Sequence, residues 1–340
     1  MSYEELGAHA TEIVRKAKEW ELTRLGYTDM GDGTWMPPAG YSYADNQPTN
    51  YGDPGGTATQ TTSSQDMVDR DMAEIDGKYD DIPELFSPFT WLPDPTSFDG
   101  AITGMENVQA RLSAGAEDTT DPASGSPVPA NLVLDGMDTS SDYLARWTGV
   151  AAMAFKQNFV DTFESITTNQ FLAASYVKGA LEAEKSLWHA ARANVDQIAE
   201  DTLTALEHMD DCGKNEWSMA FTVAGAVVAI AAIPFTGGAS TLAFTAVGGA
   251  LSIGGAAIGN TDDPPELPMA GESPEAVCDA MREALRELKS EISKAEQKVY
   301  DSMVDLNNIL AVNRSLFVAP RPDLADSGPG DIRDDMGVPR

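Results

Sequence analysis

SPEAVCDAMREALRELKSEISKAEQKVYDSMVDLNNIL, running from Ser273 to Leu310, decides the fold. Ser273 is a good N-cap, because its hydroxyl can accept from a free backbone N–H of the first turn. Pro274 suits the first helical position, where no N–H is needed. Behind them Val277, Met281, Leu285, Leu288, Ile292, Ala295, Val299, Met303, Leu306 and Leu310 recur at steps of three and four residues. That period draws one apolar stripe of coiled-coil type along a helix. Arg282, Glu283, Arg286, Glu287, Lys289, Glu291, Lys294, Glu296 and Lys298 give the helix a mixed-charge outer face. A helix with one such stripe must bury it against another element.

A partner of matching length lies upstream. From Val150 to Asp210 there is no proline and a single glycine, Gly179. Phe155, Phe159, Phe163, Ile166, Ala173, Val177, Leu181, Trp188, Ala191, Val195, Ile198, Leu206 and Met209 recur there at helical spacing. Unbroken, such a helix would span about 90 Å. Thr167-Thr168-Asn169 favour helix ends and leave a break there open as the alternative to one continuous helix. Shorter helices are predicted at 2–27 (Ile13, Ala17, Trp20 and Leu25 as stripe, Ser2 and Glu5 at capping-box spacing), at 65–79, and at 97–112. Leu85, Phe86, Phe89, Trp91 and Leu92 form an aromatic anchor expected to pack on a helix. No strand series and no internal repeat stands out.

Against this regularity stands one anomaly. The 340 residues include 22 basic and 54 acidic side chains, a net charge of −32, yet Trp217 to Thr261 holds no charge at all. At the average density such a window should hold about ten. The acidity excludes nucleic acid as a partner, since phosphate binding needs a basic patch, and it disfavours an anionic membrane surface. Pro234-Phe235-Thr236-Gly237-Gly238 divides the window into two 17-residue arms, with Pro234, Gly237 and Gly238 as turn residues. The simplest geometry is an apolar, Gly/Ala-rich helical hairpin over 217–260. It can be buried in or between bundles, held back for conditional membrane insertion, or anchored in a membrane. Its flanks, Asp210, Asp211, Glu216, Asp262, Asp263 and Glu266, are acidic with only Lys214 basic, against the usual pattern of an anchor. Protonation of these carboxylates would permit pH-gated insertion.

Cys212 and Cys278 bracket the window. In a reducing compartment they stay thiols; joined as a disulfide, they would staple the base of the hairpin and imply an oxidising destination. The polar, acidic opening Met1-Ser2-Tyr3-Glu4-Glu5 predicts no secretory signal peptide.

Trp147-Thr148-Gly149 stands immediately before the long central helix, followed by Val150-Ala151-Ala152-Met153-Ala154-Phe155. Glycine permits the φ > 0 backbone of a tight helix–helix turn, a tryptophan ahead of it can pack across the groove between two antiparallel helices, and small residues let the second helix start close to the first. Trp-x-Gly followed by Ala-Ala-x-x-Phe resembles the WXG superfamily of type VII (ESX) secretion substrates, over residues 95–210. The added hairpin and last helix look similar to the longer, multi-part actinobacterial members. The resemblance implies a folded helical hairpin exported by the type VII machinery to the cell envelope or the medium, and pairing with itself or another WXG-type helical protein, with Phe155, Phe159 and Phe163 on the packing face. Two features depart from the family: the long insert between the 97–112 helix and Trp147 is atypical, and the export motif Tyr-x-x-x-Asp/Glu is missing after the second helix. Its only match is Tyr41 to Asp45, whereas Tyr176 is followed at that spacing by Ala180 and Tyr300 by Val304.

The residues point to no catalytic, cofactor or metal site. His9, His189 and His208 lack metal-ligand spacing, and His208, Asp210, Asp211 and Cys212 read as a solvated helix end. Asp29 and Asp32 lack the rest of a calcium loop. No phosphate loop or nucleophile elbow is present. The expectation is an all-α, elongated helical bundle, built on the antiparallel Trp-x-Gly helix-turn-helix, with the apolar hairpin at one end and disordered linkers. Its parts are an N-terminal helix (1–27), a linker (28–64), a WXG-like domain (65–216, with a loop at 113–137), the hairpin (217–260), an acidic linker (261–273), the coiled-coil-like helix (274–318) and a tail (319–340). The expected function is non-enzymatic: a secreted, helix-packing protein. The alternatives are a membrane-inserting, pore-forming effector using 217–260, or a cytoplasmic structural bundle.

Overall fold

In the computed structural model the described residues are 3–31, 34–38, 64–114, 117–134, 136, 150–209, 218–220, 234–237, 240–243, 266–268 and 273–319. They are mostly helical: α1 (Leu6–Arg24), α2 (Ser64–Tyr79), α3 (Ile82–Phe86), α4 (Asp99–Leu112), α5 (Val150–Phe155), α6 (Asp161–Glu207) and α7 (Pro274–Val312). Strands are short, two to four residues, in four antiparallel pairs: β1 (Thr28–Asp29) with β2 (Trp35–Met36), β3 (Thr119–Thr120) with β4 (Pro127–Val128), β5 (Ser218–Ala220) with β8 (Glu266–Pro268), and β6 (Pro234–Gly237) with β7 (Ser240–Ala243). The chain forms two compact units, each assembled from three separate stretches. The first takes 1–92, 191–222 and 264–290; the second takes 93–190, 223–263 and 291–340.

In the first unit α1 packs against α2 and α3. Leu6, Ala10, Ile13 and Ala17, spaced by four, three and four, are buried and meet a core of Tyr79, Ile82 and Phe86. Ile198 and Leu203 of α6 and Met281 and Leu288 of α7 are buried in the same unit. The helix stops at Arg24, three residues before the predicted end. Gly26, at φ +87°, supports a Schellman turn in which Tyr27 N–H donates to Leu22 O (3.0 Å) and Gly26 N–H to Thr23 O (2.9 Å). Leu25 therefore leaves the stripe and is exposed, while Leu22 and Tyr27 close over the end. The aromatic anchor rests on Phe86 and Phe89; Trp91 is 86% exposed. Arg282 of α7 forks onto Asp81 (3.0 and 2.6 Å) and donates to the Lys78 carbonyl (2.7 Å), fixing α7 to the α2–α3 corner.

In the second unit residues 161–190 of α6 and 291–312 of α7 run antiparallel. Tyr176, Ala180 and Ala183 share a core with Val299, Leu306 and Phe317. Of the two alternatives at Thr167-Thr168-Asn169, the helix runs on unbroken. Thr167 Oγ1 donates back to Phe163 O (2.8 Å), and the buried Asn169 amide donates to Leu316 O (2.9 Å), so neither side chain competes with the helix. Asn169 and Gln170, which donates to Phe317 O (2.6 Å), instead cap the turn after α7. The irregularity falls earlier, where Lys156–Val160 forms a π turn between α5 and α6. Ser273 Oγ accepts from Ala276 N–H at 3.3 Å, the N-cap read from the sequence.

Candidate functional site

An open groove of about 660 Å³ lies in the second unit. Its floor is apolar: Val177, Ala180 and Leu181 from α6, Val299 and Met303 from α7. Antiparallel packing produces it. Ala180 and Ala183 are small and buried, so the two helices leave a trough beside them that Val177 and Leu181 only half fill. Tyr300 stands over the trough, 64% exposed. Glu184 and Glu296 line it from opposite helices, with Ser293 and Gln297 as the remaining polar lining. Trp188 Nε1–H donates to Glu184 Oε2 at 3.0 Å. Burial, and then the charge of Glu296, hold the Glu184 carboxyl above the ordinary carboxylate range. No lysine or arginine lines the groove.

Close to this floor the β3–β4 loop is clamped onto α6. Lys178 is buried and its Nζ lies 3.0 Å from Asp121 Oδ2 and 2.8 Å from Glu182 Oε1. Asp121 also accepts from Ala123 N–H (2.9 Å) and Ser124 Oγ (2.8 Å), so the loop holds its own carboxylate in place. Gly179 leaves room for it: a Cβ there would meet the Ala123 side chain at 3.2 Å. The amide of the buried Gln109 adds a bond from α4 to Ser175 Oγ (2.8 Å).

Phe155, Phe159 and Phe163 follow one another as a ladder of rings. Phe155 and Phe159 stack with centroids 5.3 Å apart, and Phe159 and Phe163 follow at 6.2 Å. The three rings are half-buried, and Met153 beside them is 60% exposed. Trp147, Thr148 and Gly149 lie outside the described residues. Of the predicted turn of the neutral window, Pro234 and Gly237 are in strand β6. The register pairs Pro234 with Ala243 and Gly237 with Ser240; Gly238 lies outside the described residues. The correction has a local reason: Phe235, Thr236, Thr241 and Leu242 include aromatic and β-branched residues that favour a ladder over a helix end. β5, at the start of the window, pairs with β8, which lies just past its end, Ser218 opposite Pro268. Cys278 is a buried free thiol, pushed up to about 12 by burial; Cys212 lies outside the described residues.

Among the described residues no group of three histidine, cysteine or carboxylate side chains is placed to hold a metal, and no helix is long and apolar enough to cross a membrane. Asp29 accepts from Gly31 N–H (2.8 Å), an ordinary turn contact; Asp32 lies outside the described residues. One polar cluster was not visible in the sequence: His9 Nδ1 sits 3.7 Å from Asp196 Oδ1 within the first unit, too far for a hydrogen bond. The groove carboxylates were missed as well, because only the antiparallel register brings Glu184 to Glu296. No family model, curated protein or solved structure matches the chain.

Proposed function

We propose that this chain is a non-enzymatic, helix-packing protein of the WXG type, exported through a type VII route and acting by assembly with a helical partner. The observation that carries the reading is the aromatic ladder of Phe155, Phe159 and Phe163, placed on the helix that follows Trp147-Thr148-Gly149 and leading into the long α6. Half-buried rings at spacing of four on one face are what a helix offers to a second helix. A mostly helical chain with an antiparallel pair of long helices supports the same reading. In the native host the chain should be found in culture filtrate and should disappear from it when the ATPase of the type VII system is deleted. Retention of the chain in cell lysate in both strains would refute export.

A second reading, a membrane-inserting hairpin, is favoured by one observation. The β5–β8 pairing joins a strand at the start of the uncharged window to a strand just past its end, Ser218 opposite Pro268. Dye release from liposomes, compared at neutral and acidic pH, tests it, and no release at either pH refutes it.

A further inference from the structure

The groove of the second unit has a chemistry that constrains its occupant. Its floor is Val177, Leu181, Val299 and Met303, with Tyr300 above it, and both of its charged side chains are acidic. Glu184 is bonded only to the Trp188 indole, and among the described residues neither Glu184 nor Glu296 has a lysine or arginine within ion-pair reach. Two carboxylates beside an apolar trough repel each other, and a cation placed between them relieves that repulsion. The lining residues of α7, Ser293 to Met303, extend over about 15 Å, two to three helical turns. A trough between two antiparallel helices is the shape that the side chains of a third helix fill. A second copy of this chain is poorly matched, because it brings the same −32 charge.

We propose that this groove receives one amphipathic helix of a partner protein, with apolar side chains on Val177, Leu181, Val299 and Met303 and with lysine or arginine meeting Glu184 and Glu296. This deepens the reading of the chain as a helix-packing protein and rests on it. It gives the partner a stated chemistry: two to three turns of helix, apolar on one side and basic on its flanks.

The test uses the full chain and two synthetic helical peptides of about 18 residues, long enough to hold helix on docking. Both carry leucine and alanine on one face; one has lysine on the flanks and the other glutamate. Titration calorimetry should show the basic peptide binding, with the acidic peptide at least about tenfold weaker. The double variant E184Q/E296Q, which removes charge without removing volume, should weaken the basic peptide by about tenfold and flatten its salt dependence. Met303→Lys, placed on the floor, should abolish binding while circular dichroism stays that of the parent chain. Equal affinity for the two peptides, no binding of either, or an E184Q/E296Q variant that binds the basic peptide as well as the parent would overturn the proposal. So would sedimentation showing the chain alone as a dimer that M303K dissociates, which would make a second copy the occupant. The export assay does not involve these peptides, so failure here and failure of the export reading are separately visible.

Discussion

Removing the Asp121 carboxylate should be among the most damaging single changes in the second unit. Asp121 is 1% exposed and Lys178 4%, and their ion pair joins the β3–β4 loop to α6 at 3.0 Å. Breaking a buried pair by deleting one partner costs roughly 3–5 kcal/mol, because the survivor keeps its desolvation penalty. After Asp121→Ala, Lys178 still holds Glu182 at 2.8 Å, so the loss belongs at the lower end, about 3 kcal/mol. Lys178→Met leaves Asp121 its bonds from Ala123 N–H and Ser124 Oγ and fills the same space, so about 2 kcal/mol is expected. The double variant should recover about 1–2 kcal/mol of the summed losses. Urea unfolding at pH 7, followed by circular dichroism, measures all three. The pH dependence has a defined sign. Burial alone would raise the Asp121 carboxyl, but the Ala123 N–H, the Ser124 hydroxyl and Lys178 outweigh it and hold it below its ordinary value. Burial alone would lower Lys178, but Glu182 and Asp121 hold it above its ordinary value. The Asp121 contribution is therefore complete above about pH 5 and is lost as the pH falls through the folded-state value. That of Lys178 is complete below about pH 9 and is lost as the pH rises past its folded-state value. The gap between parent and Asp121→Ala should be flat between those limits and narrow in acid. A loss under about 1 kcal/mol, or strictly additive single variants, would refute the account of this clamp.

Other expectations test other parts of the molecule. Burial holds the Asp196 carboxyl above its ordinary range, so its folded form favours the proton; that contribution is present in acid and lost as the pH rises. Asp196→Asn should accordingly raise stability at pH 7 by about 1 kcal/mol and change nothing below about pH 3, read by thermal melts across pH; a loss at pH 7 would contradict it. Gly26→Ala puts a side chain at φ +87° and 3.1 Å from Pro38 Cβ, which should cost about 1–2 kcal/mol in the same melts. Cys278, buried and pushed up to about 12, should be silent to a thiol reagent in the native chain at pH 8. In denaturant without reductant both thiols should react, as a free Cys278 requires; no reactive thiol would show Cys212 and Cys278 joined.

How far the sequence could be read follows from how local each determinant is. The stripe from Val277 to Leu306 and the Ser273 cap were legible, because helix period and capping involve residues three or four apart. The same holds for α2 and for the continuous run into α6. The end of α1 was misread, because the Schellman turn at Gly26 outranks the apolar residue at Leu25. Whether the helix breaks at Thr167 and Asn169 was not legible, because their side chains are engaged in the fold, Asn169 with Leu316, far away in sequence. Residues 234–237 carry turn formers, yet they pair as strand, since the residues beside them suit a ladder better.

The sequence by itself determined that this protein is helical, that its long apolar stripes must pack on each other, and that one uncharged window is set apart from an acidic remainder. Those properties depend on periodicity and composition, which any stretch of chain displays without its neighbours. Only the tertiary structure decided that Lys178 is buried against Asp121, that Glu184 faces Glu296 across an apolar groove, and that a strand at the start of the window pairs with one just past its end. Each of these needs residues tens of positions apart to arrive at the same point: Glu184 and Glu296 through the antiparallel register of α6 and α7, Lys178 and Asp121 through the β3–β4 loop packed on α6.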